Sequence, residues 1–268
     1  RRVLFRSDTT YTITGGLGGE TITIASLDDL KNNAEALSGN TPYIVKIFGT
    51  ITTTDNKSIR FNVGSNKSIY GDIENQGRLK NIEFIVHGEN VIIRNMMFGE
   101  VISYDTVPEY DGDADDALSL NGATHVWLDH CEFQSHLSPQ DNSGNALAAS
   151  SLGVDDEKFD KDWYDGLLDI KNGAAFITIS NNYFHDHWKA CLCGSSDTTE
   201  NGDKKQRLTF YANRWEEIYS RQPKLRYGKF HIVNDYHRTT LDGTGIECSA
   251  GANAYVQNSV FDGFKIQV

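Results

Sequence analysis

The chain has 268 residues, enough for one large domain or two ordinary ones. Apolar residues make up 38% of it, and no apolar run approaches the roughly 18–20 residues a membrane helix needs. A formal net charge of −12 argues against a nucleic-acid binder, and four cysteines (Cys131, Cys191, Cys193, Cys248) are too few for a disulfide scaffold.

The first residues, Arg1-Arg2-Val3-Leu4-Phe5-Arg6-Ser7, lack the apolar core of a signal peptide and read as a processed or vector-derived end. Residues 1–14 are therefore expected to be a tail and entry segment, and residues 15–268 one domain. Gly15-Gly16-Leu17-Gly18-Gly19 reads as a loop and Thr21–Ala25 as a short strand. Ser26 is a candidate N-cap, with Asp29 where a capping-box acid would sit. Leu27, Leu30, Ala34 and Leu37 follow at helical spacing, and Gly39 closes the one helix the pattern predicts.

Beyond it the chain turns to short β segments punctuated by Gly, Asn and Asp. A β-rich tetrad, a polar corner and an aromatic recur as Val91–Phe98, Val126–Phe133, Ile177–Phe184, Leu208–Trp215, Phe230–Tyr236 and Tyr255–Phe261. The last copies lie about 21–25 residues apart, and longer loops separate the earlier ones. A period in this range means a solenoid whose coils bury their apolar faces on one another. A recurrent Asn at one corner can form a ladder along such a stack. The predicted fold is all-β, a single-domain right-handed parallel β-helix whose N-terminal helix caps the open end. A β-sandwich with coincidental aromatics is the alternative.

Four constellations carry chemistry. Asp111-Gly112-Asp113-Ala114-Asp115-Asp116 resembles an EF-hand start but has Asp at the sixth position and Gly122 at the twelfth, which breaks that motif. Asp116 shares the parity of inward Leu118 and Leu120, so it must lie at a bend before their strand to reach a ligand. In Asp165-Gly166-Leu167-Leu168-Asp169-Ile170-Lys171, Leu168 and Ile170 are expected to point inward, and Asp165, Asp169 and Lys171 outward. Two carboxylates on one face suit a hard cation between them; a solvated polar face is the plainer reading.

In Trp188-Lys189-Ala190-Cys191-Leu192-Cys193, Ala190 and Leu192 are expected inward, with Lys189, Cys191 and Cys193 outward. Zinc held by His185, His187, Cys191 and Cys193 is disfavoured, because a turn separates the histidines from the cysteines. Finally, Arg221-Gln222-Pro223-Lys224-Leu225-Arg226 opens a run to Lys229 without an acid. A bend at Pro223 could bring both arginines to one side, where guanidinium groups clamp carboxylates bidentately.

Trp127-Leu128-Asp129-His130, Asp169-Ile170-Lys171 and Arg221-Gln222-Pro223-Lys224-Leu225-Arg226, in that order, resemble the pectate lyase superfamily, closest to its extracellular bacterial and fungal pectate lyases. The resemblance runs from about Gly15 to the end, and it implies the same β-helix. It also implies that Asp116, Asp165 and Asp169 bind Ca2+, with Asp113 or Asp115 as a further candidate because Ala114 replaces an Asp found in some members. Lys189 and Arg226 would bind substrate carboxylates, with Lys171 and Lys224 beside them, and Arg221 would be the catalytic base.

The implied activity is calcium-dependent cleavage of α-1,4-polygalacturonate by β-elimination. Calcium and the cations acidify the C5 proton, Arg221 removes it, and the C4 oxygen leaves. A free guanidinium has a pKa above about 12, so an alkaline optimum is expected. The implied protein is secreted and extracellular, a monomer, and binds neither nucleic acid nor membrane. Alternatives are a pectin lyase on methyl-esterified polymer, a hydrolase using paired carboxylates, and a non-catalytic β-helix that binds acidic glycans.

Overall fold

The structure is a computed structural model, described here for residues 11–264; the expectation for residues 1–7 lies outside that range. Every pairing between its named strands is parallel, and the strands stack as successive coils into three faces of a β-helix.

A back sheet of nine strands runs Glu20–Ile24, Tyr43–Ile47, Lys67–Gly71, Glu89–Arg94, Thr124–Asp129, Ala175–Ser180, Arg207–Tyr211, Lys229–Val233 and Asn253–Gln257. A side stack of short strands includes Met97–Gly99, Glu132–Gln134, Arg214–Ser220 and Tyr236–Arg238. A front stack includes Ile82–Val86, Leu118–Asn121, Gly166–Lys171, Lys224–Arg226 and Glu247–Ser249. The eleven-residue strand Tyr183–Cys193 belongs to both: its start pairs with Glu132–Gln134 and its end with Gly166–Lys171.

From the back strand Glu89–Arg94 onward, the coils turn from the back sheet to the side stack through a two-residue corner, and the two positions differ. The first residue is left-handed, with φ of 53–60° at Asn95, His130, Asn181, Ala212, Asn234 and Asn258, a conformation Asn adopts more readily than most residues. The second forms the ladder. The Cys131 N–H donates to Asn182 Oδ1 at 2.8 Å, the Asn182 N–H to Asn213 Oδ1 at 3.0 Å, and the Asn213 N–H to Asp235 Oδ1 at 2.9 Å. One residue type thus solves two problems that the repeated motif merges.

In four copies of the motif the aromatic points inward and stacks across coils, whereas in the copy Phe230–Tyr236 the inward place falls to His237 and Tyr236 is only partly buried. Phe98, Phe133, Phe184 and Trp215 follow one another with ring centroids 5.3, 4.7 and 4.1 Å apart. His237 and Phe261 continue the column. Offset stacking adds to the burial of these large side chains.

The cap is two helices rather than one, Leu27–Asn32 and Ala34–Ser38, broken at Asn33, where the first ends on a non-helical residue. Ser26 Oγ accepts the Asp29 N–H at 3.0 Å, and Asp29 Oδ2 reaches back one residue beyond the N-cap to accept the Ala25 N–H at 3.1 Å, a variant of the capping box. Leu30 and Leu37 are buried against the coil. Buried Lys67 fastens the cap, donating to the carbonyls of Gly39, Thr41 and Ser65 at 2.6–2.8 Å.

Two long excursions, residues 100–117 and 135–165, leave the side stack and pack on each other; the second carries two short helices, Ala149–Leu152 and Asp156–Asp162, beyond the one helix the sequence pattern predicts. Ile102, Tyr104, Val107, Ala149, Phe159, Trp163 and Tyr164 form a second small core beneath them. That core carries Asp162 and Asp165 to the edge of the front stack. No helix of the described residues is long and apolar enough to cross a membrane.

Candidate active site

The front stack collects the acids and cations coil by coil. Its register sets Ser119 beside Asp169, Asp169 beside Leu192, and Leu192 beside Lys224, so Asp169 and Lys224 occupy one outward row. Gly166 pairs with Lys189, and Lys189 with Ser220, just before Arg221. Neighbouring coils lie about 4.8 Å apart, close enough for their outward charges to act on one another.

One inward–outward expectation is overturned here. Cys191 and Cys193 are fully buried, in register with core residues Leu168 and Ile170, while Leu192 is only partly buried in the outward row. The alternation slips at Ala190-Cys191, where consecutive residues are both buried. Strict parity counted from Lys189 therefore fails beyond that step.

Asp116 sits in the bend before Leu118–Asn121 and is buried. Its Oδ1 accepts the Gly166 N–H at 3.0 Å, and its Oδ2 accepts from Ser119 Oγ at 2.9 Å. Lys171 Nζ stands 3.1 Å from Asp116 and 3.7 Å from Asp169. A Cβ added at Gly166 would lie 2.5 Å from Asp116 Oδ1 and 2.8 Å from Asp169 Oδ1, so both carboxylates converge over this glycine. Asp169 Oδ1 is buried with no hydrogen-bond partner among the described residues.

Burial, and then the Asp116 charge, push the Asp169 carboxyl well above its ordinary range, with Lys171 offsetting part of the effect. Burial likewise raises Asp116, against the pull of Lys171. Two buried carboxylates, one orphaned oxygen and one shared ammonium fit a hard, oxygen-seeking cation. Asp165 instead turns to Lys189, at 2.8 Å. Burial opposes the Asp165 charge, but Lys189, with Arg221 adding, holds the carboxyl below its usual range. Among the described residues no three acid, His or Cys side chains already stand together as a metal cluster. Asp113 faces Arg60, 3.9 Å away, and the Asp115 side chain is exposed.

The cations differ in how they are held. Lys189 Nζ is shared between Asp162 at 2.9 Å and Asp165 at 2.8 Å. Arg226 donates Nε and Nη2 to Asp197 at 2.9 and 2.7 Å, and Nη1 to the Gly194 carbonyl at 3.0 Å. Lys224 stands 3.8 Å from Glu247. Arg221 occupies a left-handed corner (φ 63°), and its backbone N–H donates to Glu247 Oε1 at 3.2 Å. Among the described residues, Arg221 is the one member of this cation set in no ion pair, yet its charge acts on Asp165 and Asp169.

Three site residues escape sequence reasoning. His187 is buried; its Nε2 donates to the Asp165 carbonyl at 2.6 Å, and its other ring nitrogen meets Ser135. Burial pulls this imidazole down to about 4, so it is neutral and steadies the Asp165 backbone. Asp162, at the end of the short helix Asp156–Asp162, and Asp197, on a loop, pair with the site cations from outside the coils, where no strand periodicity marks them. Conversely, Trp127-Leu128-Asp129-His130 lies on the back sheet. There Asp129 accepts from Ser180, Asn181 and His130 at 2.6–3.0 Å and pairs with Arg94 at 2.9 Å. That element is structural.

Comparison with known proteins agrees with this architecture. The chain is 36% identical to a probable pectate lyase B of Aspergillus terreus and 36% identical to a pectate trisaccharide-lyase of Bacillus licheniformis, over 92% and 94% of its length. It spans 65% of the length of each of these relatives. A solved pectate lyase of Bacillus sp. N165 in complex with trigalacturonate superposes with a TM-score of 0.69 at 26% identity, covering 91% of this chain and 70% of that one. The family model for pectate lyase matches residues 7–263, so the chain belongs to the pectate lyase family.

Proposed function

We propose that the protein is a calcium-dependent pectate lyase that cleaves polygalacturonate by β-elimination, acting as a secreted monomer with one catalytic domain from residue 15 onward. The observation that carries this reading is the contrast among the cations: Lys171, Lys189, Lys224 and Arg226 are each held by carboxylates, whereas Arg221 is unpaired beside them. Held cations bind; an unpaired guanidinium at a fixed corner is the group able to move a proton. The relatives named above as pectate lyases, one solved with trigalacturonate, support the substrate class.

Asp116, Asp165 and Asp169 would hold the calcium, Asp165 exchanging its Lys189 partner for it. Bound there, calcium supplies positive charge against a uronate carboxylate. Lys189 and Arg226 bind uronate carboxylates and draw electron density from the ring carbon that carries the reacting hydrogen, with Lys171 and Lys224 extending the positive row. Arg221, in its neutral guanidine form, accepts the C5 proton and becomes a guanidinium. The electron pair left at C5 forms the C4–C5 double bond, the C4–O glycosidic bond breaks, and the oxygen leaves with the bonding pair and takes up a proton in place of the one Arg221 received, which Arg221 then releases. No water is consumed, in contrast to a hydrolase, whose two carboxylates must act as acid and base around one.

The test is an assay on polygalacturonate with calcium and with excess chelator, read by ultraviolet absorbance of unsaturated ends. The reading expects product with calcium and none with chelator. New reducing ends without ultraviolet product would mean hydrolysis. Turnover of methyl-esterified polymer that survives chelator would mean a pectin lyase, and binding without any product a glycan-binding β-helix.

A further inference from the structure

The loop that follows the strand Tyr183–Cys193 reaches back over the front stack, and its residue Asp197 ends on Arg226. Both Asp197 oxygens are engaged: Oδ1 accepts Arg226 Nε at 2.9 Å and Ser249 Oγ at 2.7 Å, and Oδ2 accepts Arg226 Nη2 at 2.7 Å. This is the bidentate fork geometry that fixes a guanidinium plane, not only its charge. The loop is itself anchored, since buried Asp203 accepts the Gly173 N–H at 2.9 Å and the Ser195 N–H at 2.7 Å. It also runs against the arginine stem: a Cβ at Gly194, where φ is 101°, would lie 2.6 Å from Arg226 Cβ.

Arg226 has five N–H donors. Two go to Asp197 and one to the Gly194 carbonyl, which leaves two on the terminal nitrogens. The side chain is 11% exposed, so little of it besides this remaining edge can meet a ligand. We propose that Asp197 is a positioning residue of the reaction: it locks the Arg226 guanidinium so that its two uncommitted N–H groups face a uronate carboxylate of the substrate. This rests on the lyase reading above and adds to it a residue from outside the front stack. The lock removes rotamer entropy that the arginine would otherwise lose on binding.

The experiment compares wild type with Asp197→Ala, Asp197→Glu, Arg226→Ala and the double variant Asp197→Ala/Arg226→Ala. Steady-state kinetics on polygalacturonate and calorimetric titration with trigalacturonate, both with calcium, are the two readouts. Asp197→Ala is expected to raise the trigalacturonate Kd about tenfold and to lower kcat as well, about tenfold, because the arginine it positions both binds the uronate and draws electron density from its ring carbon. Asp197→Glu is expected to recover part of the loss. In the Arg226→Ala background, removing Asp197 is expected to cost nothing further, because it acts through that arginine.

Unchanged or tighter binding by Asp197→Ala would overturn the proposal, tighter binding meaning that Asp197 competes with the substrate. Losses that simply add in the double variant would overturn it too, as a general effect on folding. If wild type makes no unsaturated product, the lyase reading fails on its own. The titration still decides the role of Asp197 in holding Arg226 toward a uronate.

Discussion

The corner between the back sheet and the side stack and the edge of the front stack lie on the same coils and use opposite rules. At the corner, like follows like: Asn182 on Asn213, Phe133 on Phe184 on Trp215, with the backbone amides of Cys131, Asn182 and Asn213 each partnered by the side chain one coil away. At the front edge no outward row repeats. Along one row Ser119 is followed by Asp169, Leu192 and Lys224, and an oxygen of Asp169 is left without a partner. Repetition stabilises, because each coil offers the next an identical surface. Chemistry needs the repetition broken, so that opposite charges meet and one cation stays unpaired.

Swapping residues between these two regimes tests the comparison. The largest expected effect is at the front edge, where Arg221→Lys keeps the charge but loses the guanidine. It is predicted to lower kcat about a thousandfold, about 4 kcal/mol of barrier, with the melting temperature unchanged. Retention of kcat within tenfold would assign the proton to another group. Trp215→Ala, which cuts the inner column, is predicted to cost about 3–5 kcal/mol of stability by denaturant unfolding. A cost below about 1 kcal/mol would mean that the column is a by-product of the coil rather than a source of its stability. Asn182→Ala orphans the buried Cys131 N–H and is predicted to cost about 1–3 kcal/mol.

The smallest effect is a pH slope from the ladder's odd member. Burial raises the Asp235 carboxyl from 3.8 to about 6, against its bonds from Asn213 and Trp215. The folded chain then holds a proton that the unfolded chain has released between those values. The stability this proton contributes is complete below about 3.8 and is lost as pH rises through about 6. One proton accounts for at most about 1.4 kcal/mol per pH unit. Asp235→Asn should remove that slope in unfolding curves taken from pH 4 to 6, and an unaltered slope would assign it to other groups.

What the sequence discloses follows from the same contrast. The coil is legible because Val91–Phe98 and its later copies restate one pattern, and repeated burial writes itself into periodicity. Asp116, Asp169, Lys189, Arg221 and Arg226 stand out through a family resemblance, which adds what periodicity cannot supply. Asp162 and Asp197 are invisible because each reaches its cation from outside the coils, Asp162 from the end of the helix Asp156–Asp162 and Asp197 from a loop, along paths that depend on tertiary packing. The inward turn of Cys191 and Cys193 is missed for a local reason: a one-residue slip at Ala190-Cys191 reverses every later inference from alternation. The break of the cap at Asn33 leaves no trace either, since Leu30 and Leu37 keep helical spacing across it.

The corner ladder has a consequence for how such a molecule can grow. Each of its backbone amides is served by the side chain one turn further along, so the acceptor belongs to the incoming turn and not to the one it joins. A complete turn spliced in between the Asn182 and Asn213 levels would bring its own acceptor and find a donor already waiting. Lengthening this scaffold is therefore modular at that corner, and the chemistry on the opposite flank is what limits where a splice can be made.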